Sequence, residues 1–312
     1  MEFFKPNTKF AFMSARKAWY VISSLLILAS LASLLLRGLN LGIDFTGGIS
    51  TQVNFAAPPN LDAVRSALKA VGFAESQVQN FGSSRDVAIR LPPARSTEKA
   101  EAVRARVTAA VQKLDAKAEL RSFEIVGPQV GAELRNAAIW SLLITIVLIF
   151  LYLLIRFHTV KLSTGAILAA LHDPIIVLGF FSWTHMTFDL SVVAAILAVI
   201  GYSLNDTVVV FDRIRERFES NRRLASDAVL DQSLNQTLSR TIMTSATTLI
   251  VVVVLLLLGG PVLQGFSAAL VVGIVVGTYS SIYIASAVAL EMGLTAEDIF
   301  PSVRKKVIDE MP

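Results

Sequence analysis

The sequence contains no cysteine, and histidine occurs only at positions 158, 172 and 185. Without cysteine the chain has no disulfide bonds and no thiolate metal sites, and the dispersed histidines do not form the ligand cluster of a zinc site. Charged residues are also scarce, at 17% of the 312 positions against 54% for apolar residues. Soluble domains carry about 25% charged residues, so this composition excludes an ordinary soluble protein and indicates a membrane protein.

Three stretches without any charged residue account for the apolar composition: residues 18–36, 136–155 and 241–290. About 20 apolar residues are enough for a helix to cross the hydrocarbon core of a bilayer. The first stretch is longer than the apolar core of a signal peptide, and no small-residue cleavage site follows it, so we interpret it as a retained helix. The sequence therefore predicts a polytopic α-helical membrane protein with six transmembrane helices, at 18–37, 136–156, 162–183, 189–211, 241–259 and 264–289.

Lysine and arginine are concentrated in alternate connections between these helices. They precede the first helix, follow the second, recur between the fourth and fifth and follow the last, whereas the loops 184–188 and 260–263 contain none. Because short basic loops stay on the cytoplasmic side, we expect both termini in the cytoplasm and residues 38–135 outside. The predicted cytoplasmic segments are 1–17, the basic loop 212–240 and 290–312.

The basic loop 212–240 has two interpretations. The first is an orientation signal that lies against anionic lipid head groups, and the second is a docking site for a cytosolic partner. We favour the lipid interpretation. Although the pI is about 9.4, the placement of the charges gives no reason to expect nucleic acid as a partner.

Residues 38–135 have the composition of a small soluble domain. Strand-like and helix-like patterns follow one another there in the order βαββαβ, which is the order of a ferredoxin-like α+β domain. The segment contains no catalytic set of residues, so we do not expect an enzyme. The predicted strands lie at 47–55, 76–82, 86–92 and 118–126, and the predicted helices at 59–72, with Asn60 as the N-cap, and at 96–116.

Two glycine-containing segments flank this domain. In "GIDFTGG" (42–48) we interpret Asp44 as a turn or cap residue that closes the exit of the first helix, and the three glycines as positions with unusual backbone angles. The segment "VGPQVGAEL" (126–134) permits a defined bend before the second helix. Its sequence leaves open whether that bend moves as a hinge.

The third predicted helix carries "ALHDPIIVLG" (170–179), which places Asp173 near the middle of the membrane. An ionised Asp at that depth costs about 2.5–3.5 kcal/mol on insertion scales. Asp173 is therefore either a functional proton site or the acceptor of a structural hydrogen bond between helices, and both alternatives stay open. Pro174 predicts a local kink. Because adjacent residues on a helix point about 100° apart, we expect His172 not to face Asp173 and favour a structural role for it.

Polar residues also interrupt the fourth and fifth predicted helices. Asp206 and Arg240 both lie in the cytoplasmic half, at depths that would allow an ion pair. Arginine would favour the ionised form of the carboxyl group and burial would favour the protonated form. We favour a pair that opens and closes with protonation over a static salt bridge. The predicted stripes are Gly201, Tyr202, Asn205 and Asp206 on the fourth helix, and Arg240, Thr241, Thr244, Ser245 and Thr248 on the fifth.

The sixth predicted helix contains small residues at positions 273, 277 and 281, four residues apart. Such small-xxx-small spacing allows two helix backbones to approach closely. We interpret this pattern as a helix-packing surface.

Taken in order, these motifs closely resemble the SecF side of the SecD/SecF family of bacterial protein-export membrane proteins. The likeness covers nearly the whole chain, and its longest string is the most specific part. The motifs are "GIDFTGG" (42–48), "VGPQVGAEL" (126–134), "ALHDPI" (170–175), "GYSLNDTVVVFDRIRE" (201–216), "LNQTLSRTIMTS" (234–245) and "GTYSSIYIAS" (277–286).

The resemblance implies a function that the residues alone do not give. A SecF-like subunit would work with SecD beside the SecYEG channel in the bacterial inner membrane, with YajC as a further candidate partner and residues 38–135 in the periplasm. Its six helices would form half of an RND-like transporter. It would use the proton gradient, with Na⁺ as the alternative ion and no cofactor, to draw preproteins outward late in export. By this likeness Asp206 and Arg240 match the family's membrane-embedded charged positions, and Asp173 matches its third-helix "HD" motif.

Two other functions remain as alternatives. An RND-like exporter of small molecules or lipids would need a second external domain and a duplicated set of helices, and the sequence has no internal repeat. A passive scaffold that stabilises the channel would use its intramembrane charges only for structure. The proton-driven subunit and the passive scaffold therefore differ in whether Asp206 has to titrate.

Overall fold

The computed structural model describes residues 8–92 and 100–300. Within these residues, six helical segments are long and apolar enough to cross a membrane, as the sequence predicts. A short 3₁₀ turn at Met13–Ala15 leads into the first of them. The six are α1 (Arg16–Arg37), α5 (Pro128–Phe157), α6 (Val160–Thr184), α7 (Leu190–Ser220), α8 (Ser226–Leu258) and a composite sixth segment of α9 (Pro261–Tyr279), a π-helical turn (Ser280–Ala285) and α10 (Ser286–Glu291).

The predicted basic loop 212–240 is mostly helical, which corrects the sequence interpretation. α7 continues to Ser220 and α8 already begins at Ser226, so the connection is only the segment 221–225. Charges mark where a helix leaves the apolar zone, but they do not end it. These extensions are amphipathic, and their apolar faces join the membrane core through Phe211, Ile214, Phe218, Val229, Leu230 and Leu234.

The six helices differ in how far they are enclosed. In the most apolar stretch of each helix, more than half of the residues of α6, α7 and the composite sixth helix are buried, whereas only 11–17% of those of α1, α5 and α8 are buried. The polar residues of the centre therefore lie among α6, α7 and the sixth helix. The outer helices leave broad apolar faces for lipid or for another protein.

α1 docks on α6 through serine residues. Ser23 and Ser30 are the buried residues of α1, and Ser30 packs directly against Gly179 of α6. One turn further, the hydroxyls of Ser33 and Ser182 are 2.8 Å apart. Small and hydroxyl-bearing residues allow close contact between membrane helices, which explains how a largely exposed helix is held in place.

The external domain has the predicted order of elements. Its strands β2 to β5 form one antiparallel sheet in the order β3-β4-β2-β5. The side chains of α3 and α4 pack with one face of that sheet in a separate apolar core. Asn60 caps α3 as predicted, since its Oδ1 accepts a hydrogen bond from the Asp62 amide at 2.9 Å. The bounds are β2 Gly48–Asn54, α3 Leu61–Ala70, β3 Gln77–Phe81, β4 Ser83–Leu91, α4 Ala100–Gln112 and β5 Glu119–Val126; the predicted start of the second helix, at 96–99, lies outside the described residues.

The glycines next to the domain are explained by close backbone packing. A Cβ at Gly47 would lie 2.9 Å from the Cα of Pro128, and one at Gly131 would lie 2.8 Å from the Gly47 nitrogen. Gly47 and Gly48 also have φ angles of 70° and 130°, as predicted. Gly42 lacks the predicted unusual backbone angle, because its φ is −71°. Together these residues seat the start of the domain against the start of α5.

Asp44 is a cap, but of a different helix from the one that the sequence suggests. It lies in the short helix α2 (Ile43–Thr46), and its Oδ2 accepts a hydrogen bond from the amide of Leu190, the first residue of α7, at 2.9 Å. The strands β1 (Asn40–Leu41) and β6 (Thr187–Phe188) pair in parallel beside it. The exit of α1 is therefore tied to the entry of α7, far away in the sequence.

Close packing between α6 and the π-helical turn gives a first prediction. A Cβ at Gly165 of α6 would overlap the carbonyl oxygen of Ala285. Gly165→Ala should therefore lower the free energy of unfolding by about 1–3 kcal/mol, the usual cost of overpacking a core. Thermal unfolding in detergent measures this.

The matched control for Gly165→Ala is Gly201→Ala on α7. In the described part of the chain nothing lies within 4 Å of a Cβ at that position, so the control should unfold at an unchanged or slightly higher temperature. Equal destabilisation of both variants would contradict the packing explanation.

Candidate functional site

Asp173 lies completely buried in α6, in the centre of the helix bundle. Its Oδ1 is 2.9 Å from Nδ1 of His172, and its Oδ2 accepts a hydrogen bond from Ser280 Oγ at 3.0 Å. Both carboxylate oxygens therefore have donors, which compensates the cost of burying a charge. The helix itself continues through Pro174.

His172 faces Asp173, contrary to our expectation for adjacent residues. The backbone directions do diverge, but both side chains are long enough to turn back towards each other along the helix surface. The other ring nitrogen, Nε2, is 2.9 Å from the hydroxyl of Tyr279, and that hydroxyl accepts a hydrogen bond from Ser23 Oγ at 3.4 Å. His172 therefore links the buried carboxylate to the sixth helix and to α1.

The π-helical turn supplies the hydroxyl groups of this centre. A π-turn widens a helix locally and is frequent at functional sites. Ser280 reaches Asp173 on α6, while Ser281 Oγ bonds to the Ser203 carbonyl of α7 at 3.1 Å and accepts from Thr207 Oγ1 at 3.1 Å. Consecutive residues of one turn therefore connect the two helices that carry the buried acids.

The small residues of the sixth helix lie at the same contact. A Cβ at Gly277 would be 3.0 Å from Ser203 Cβ and 3.3 Å from Asp173 Oδ2, and one at Gly273 would overlap Val199. The predicted packing role of these glycines is confirmed. They also bring the backbone of the sixth helix against the carboxylate.

Asp206 is buried in α7 with 2% of its surface exposed. In the part of the chain that the structure describes, its Oδ2 has no hydrogen-bond partner. Such a group is exceptional, because a buried polar atom without a partner costs about 1–3 kcal/mol. Asp206 is thus the least compensated buried acid in the described helices.

The structure does not join Asp206 to Arg240. Arg240 is exposed on α8, and none of the ion pairs among the described residues joins the two. α8 turns Thr241 and Ser245 into the bundle, which directs the preceding Arg240 away from it. Its charge still acts on Asp206 at longer range. The predicted contact is therefore open in this structure.

The remaining stripe residues separate into two groups. Tyr202 and Ser245 face each other, with their hydroxyl oxygens 3.5 Å apart, and Ser245 Oγ is 2.8 Å from Thr278 Oγ1. Asn205 is exposed. Within the described residues, Thr244 and Thr248 donate only to carbonyls of their own helix. The predicted stripes therefore contribute two interhelical contacts here, both through Ser245.

Sequence reasoning missed the hydroxyl groups that complete the site, namely those of Ser23, Thr207, Thr278, Tyr279, Ser280 and Ser281. The signal was present in "GTYSSIYIAS" (277–286), where four hydroxyl-bearing residues stand in succession inside an apolar span. We interpreted that segment only by the size of its side chains. Within residues 8–92 and 100–300, no three His, Asp or Glu side chains are grouped to hold a metal ion.

A second polar region lies between the external domain and the outer ends of the membrane helices. It is a cleft of about 420 Å³, lined on one side by the open sheet face and on the other by the connections before α7 and α9. Arg90 of β4 crosses it and donates hydrogen bonds to Asn40 Oδ1, at 3.3 Å, and to Thr187 Oγ1. Burial lowers the pKa of Arg90 below its ordinary value, although the negative charge of Asp189 acts in the opposite direction. Arg90 thereby connects the external domain to β1 and β6 at the ends of the membrane helices.

Two family models match the chain. The model of the C-terminal region of the protein export membrane proteins SecD and SecF matches residues 106–295, and the SecD/SecF GG motif matches residues 32–59. The first range contains the helices that carry Asp173 and Asp206. The second contains the Gly47–Gly48 pair that packs against the start of α5.

Curated relatives and a solved structure agree with these matches. The protein translocase subunit SecF of Vibrio alginolyticus is 45% identical over 312 residues, covering 99% of this chain and 98% of that protein. Its Haemophilus influenzae counterpart is 45% identical over 301 residues, covering 96% and 91%. The crystal structure of SecDF, a translocon-associated membrane protein from Thermus thermophilus, matches with a TM-score of 0.83 at 36% identity, over 93% of this chain and 39% of that one.

Proposed function

Because the chain belongs to the SecD/SecF family of protein-export membrane proteins, we propose that it acts as a SecF-type subunit of the bacterial protein translocation machinery. In this proposal it uses the proton gradient across the inner membrane to draw preproteins outward at a late stage of export. The observation that carries the coupling step is the pair of buried carboxyl groups, Asp173 and Asp206, on neighbouring central helices.

Burial of these acids supports ion coupling rather than a purely structural role. An acid inside a membrane segment is expensive and marks ion or proton pathways. Asp173 has donors for both oxygens, but Asp206 has none for Oδ2 in the described residues. A carboxylate without a full set of partners gains from taking up a proton. Arg240 is not paired with Asp206 in this structure, and its approach would stabilise the ionised form of the Asp206 carboxyl group.

The partners in this proposal are SecD and the SecYEG channel, with YajC as a further candidate and lipid around the outer helices. The solved SecDF chain supports SecD as a partner, since this chain spans 39% of its length. The exposed faces of α1, α5 and α8 provide the area for such contacts. We propose that both termini are cytoplasmic and residues 38–135 periplasmic, that Asn205 belongs to the proton path together with Asp206, and that no cofactor is needed beyond the ion gradient.

An export assay in inverted inner-membrane vesicles tests the proposed function. Vesicles with the chain and its SecD partner should translocate a preprotein faster when a proton gradient is present. Vesicles depleted of the chain should lose this stimulation and keep the basal rate. An equal stimulation in depleted vesicles would contradict the proposal.

Removal of the external domain should impair export while the membrane part stays assembled. Gly48 pairs with Val126 across the sheet, so a short linker can join them when residues 49–125 are deleted, without displacing α5. The domain also has an apolar core of its own. We expect normal co-purification with SecD and a loss of gradient-stimulated export of at least about tenfold, since substrate positioning contributes effects of that size.

The matched control for the deletion is Arg85→Ala in the β3–β4 hairpin, an exposed position that leaves the domain intact. It should export normally. Full export by the deletion variant would show that the domain does not handle the preprotein.

A further inference from the structure

A chain of hydrogen bonds leads from Asp173 away from Asp206 and towards α1. His172 Nδ1 is 2.9 Å from Asp173 Oδ1, His172 Nε2 is 2.9 Å from the Tyr279 hydroxyl, and Ser23 Oγ is 3.4 Å from that hydroxyl. The groups come from three helices, and the connected positions on α6 and the sixth helix are 107 residues apart. Each bond joins groups that can both donate and accept, apart from the terminal carboxylate.

The chain ends on an unusual residue of α1. Most of α1 is exposed, but Ser23 is only 4% exposed and points into the bundle. One turn towards the N-terminus, the hydroxyl of Tyr20 is buried and has no hydrogen-bond partner among the described residues. Polar groups thus continue along the same face of α1.

The cytoplasmic end of this face carries charges. Arg16 Nε is 2.8 Å from Glu291 Oε1, in a pair that is partly open to solvent. Both charges act electrostatically on Tyr20. The polar groups therefore extend from the centre of the bundle to the end of α1.

On the premise of the proposed function, we propose that His172, Tyr279 and Ser23 form the route by which protons pass between Asp173 and the cytoplasmic end of α1. The route leaves the bundle past Tyr20 and the Arg16–Glu291 pair. Asp173, fed from the side of Ser280 and Asp206, is its inner end. His172 then has a transport role as well as a structural one.

One neutral tautomer of His172 satisfies every bond in the chain. Ser23 donates to Tyr279, which leaves the Tyr279 proton for Nε2 and the Nδ1 proton of His172 for the ionised Asp173. When Asp173 takes up a proton from the inner side, the His172 ring turns over so that its N–H group faces Tyr279, and the hydroxyls of Tyr279 and Ser23 rotate to follow it. All the donors then point towards Ser23.

Discharge of Asp173 moves one proton, returns Asp173 to its ionised form and leaves no charge on the groups in between. The Asp173 proton passes to the ring nitrogen that now faces it, the proton on the other ring nitrogen to Tyr279, the Tyr279 proton to Ser23, and the Ser23 proton to a water molecule beside Tyr20. Each intermediate group gains one proton and loses one. The chain returns to its starting orientation, and one proton has reached the cytoplasmic side.

A packing role for Tyr279 is the alternative, and the sixth helix offers a matched control for it. Trp19 of α1 stacks on both Tyr279 and Tyr283, with ring centroids 5.3 Å and 4.5 Å apart. The two tyrosines thus share one ring environment. Within the described residues, only the Tyr279 hydroxyl touches His172. Replacing each by Phe removes a hydroxyl and keeps the ring.

The experiment measures proton flux in proteoliposomes that contain the chain in complex with SecD, with a pH-sensitive dye inside and an imposed proton gradient. Tyr279→Phe should lower the flux at least about tenfold, as expected when a proton-transfer group is removed. Tyr283→Phe should change it less than about twofold. Ser23→Ala should lower it as well, and Ser23→Thr, which keeps a hydroxyl, should restore it.

Three outcomes separate the route from the proposed function. Equal proton flux in the wild-type and Asp206→Asn complexes would contradict the proposed function itself. Asp206-dependent flux that is equal in Tyr279→Phe and Tyr283→Phe would overturn the route and leave the proposed function standing. If Tyr279→Phe fails to co-purify with SecD, the test rests on the two variants Ser23→Ala and Ser23→Thr. Equal proton flux in these two variants would overturn the route.

Discussion

Asp206→Asn is expected to abolish gradient-stimulated export while the protein accumulates at its normal level and still co-purifies with SecD. Asn has nearly the shape of Asp, and Oδ2 makes no hydrogen bond in the described residues, so the change breaks no contact there. A neutral amide also costs less to bury than a carboxylate. The loss should be at least about tenfold, because a residue that takes up and releases the proton has no substitute.

The control for Asp206→Asn is Asp212→Asn on the same helix. Asp212 is paired with Arg156, whose Nη2 is 2.5 Å from its Oδ2 at the edge of the membrane, and it is partly exposed. Its replacement should change export little, since exposed ion pairs contribute about 0–1 kcal/mol. Normal export by a stable Asp206→Asn protein would instead support the scaffold interpretation.

The same variant also tests the identity of the ion. Vesicles are energised either with a proton gradient or with a sodium gradient at constant pH. For proton coupling, only the proton gradient should stimulate wild-type export, and Asp206→Asn should remove that stimulation. Stimulation by sodium alone would replace H⁺ by Na⁺ in the proposal.

The sequence predicts the helices and the buried acids because those features are local. A run of apolar residues is sufficient to find a span, and an acid inside it is visible without any partner. The order of elements in the external domain follows likewise from local periodicity. The predicted end of α7 and the predicted start of α8 were wrong, because charges outside the bilayer are compatible with a continuing helix.

The contacts of the site could not be predicted because they depend on helix rotation. Asp206 and Arg240 have compatible depths, yet α8 turns Thr241 inward and Arg240 outward. Tyr279 reaches His172 only because the sixth helix lies against both α1 and α6. Rotation about a helix axis is fixed by packing of glycines and serines from distant segments, such as Gly179 with Ser30. A single sequence does not show such pairs.

Asp173→Asn decides between the two roles that the sequence leaves open for this residue. The structure allows Asn to keep the hydrogen bonds. His172 Nδ1 can still donate to Oδ1, and the new amide can donate to Ser280 Oγ, whose own proton turns to the Gly277 carbonyl at 3.2 Å. The variant should therefore unfold within about 1 kcal/mol of the wild type, the net value of one hydrogen bond.

If Asp173 is a proton site, Asp173→Asn should lose gradient-stimulated export by at least about tenfold in spite of its normal stability. Ser280→Ala provides the opposite case, because it keeps the titratable group and removes a donor to it. It should lower the free energy of unfolding by about 1.5–3 kcal/mol, the value of a hydrogen bond to a charged group, and keep part of the stimulated export. Thermal unfolding and vesicle export of both variants measure the two effects separately. A stable Asp173→Asn protein with normal export would make Asp173 a structural acceptor, because only titration distinguishes it from the amide.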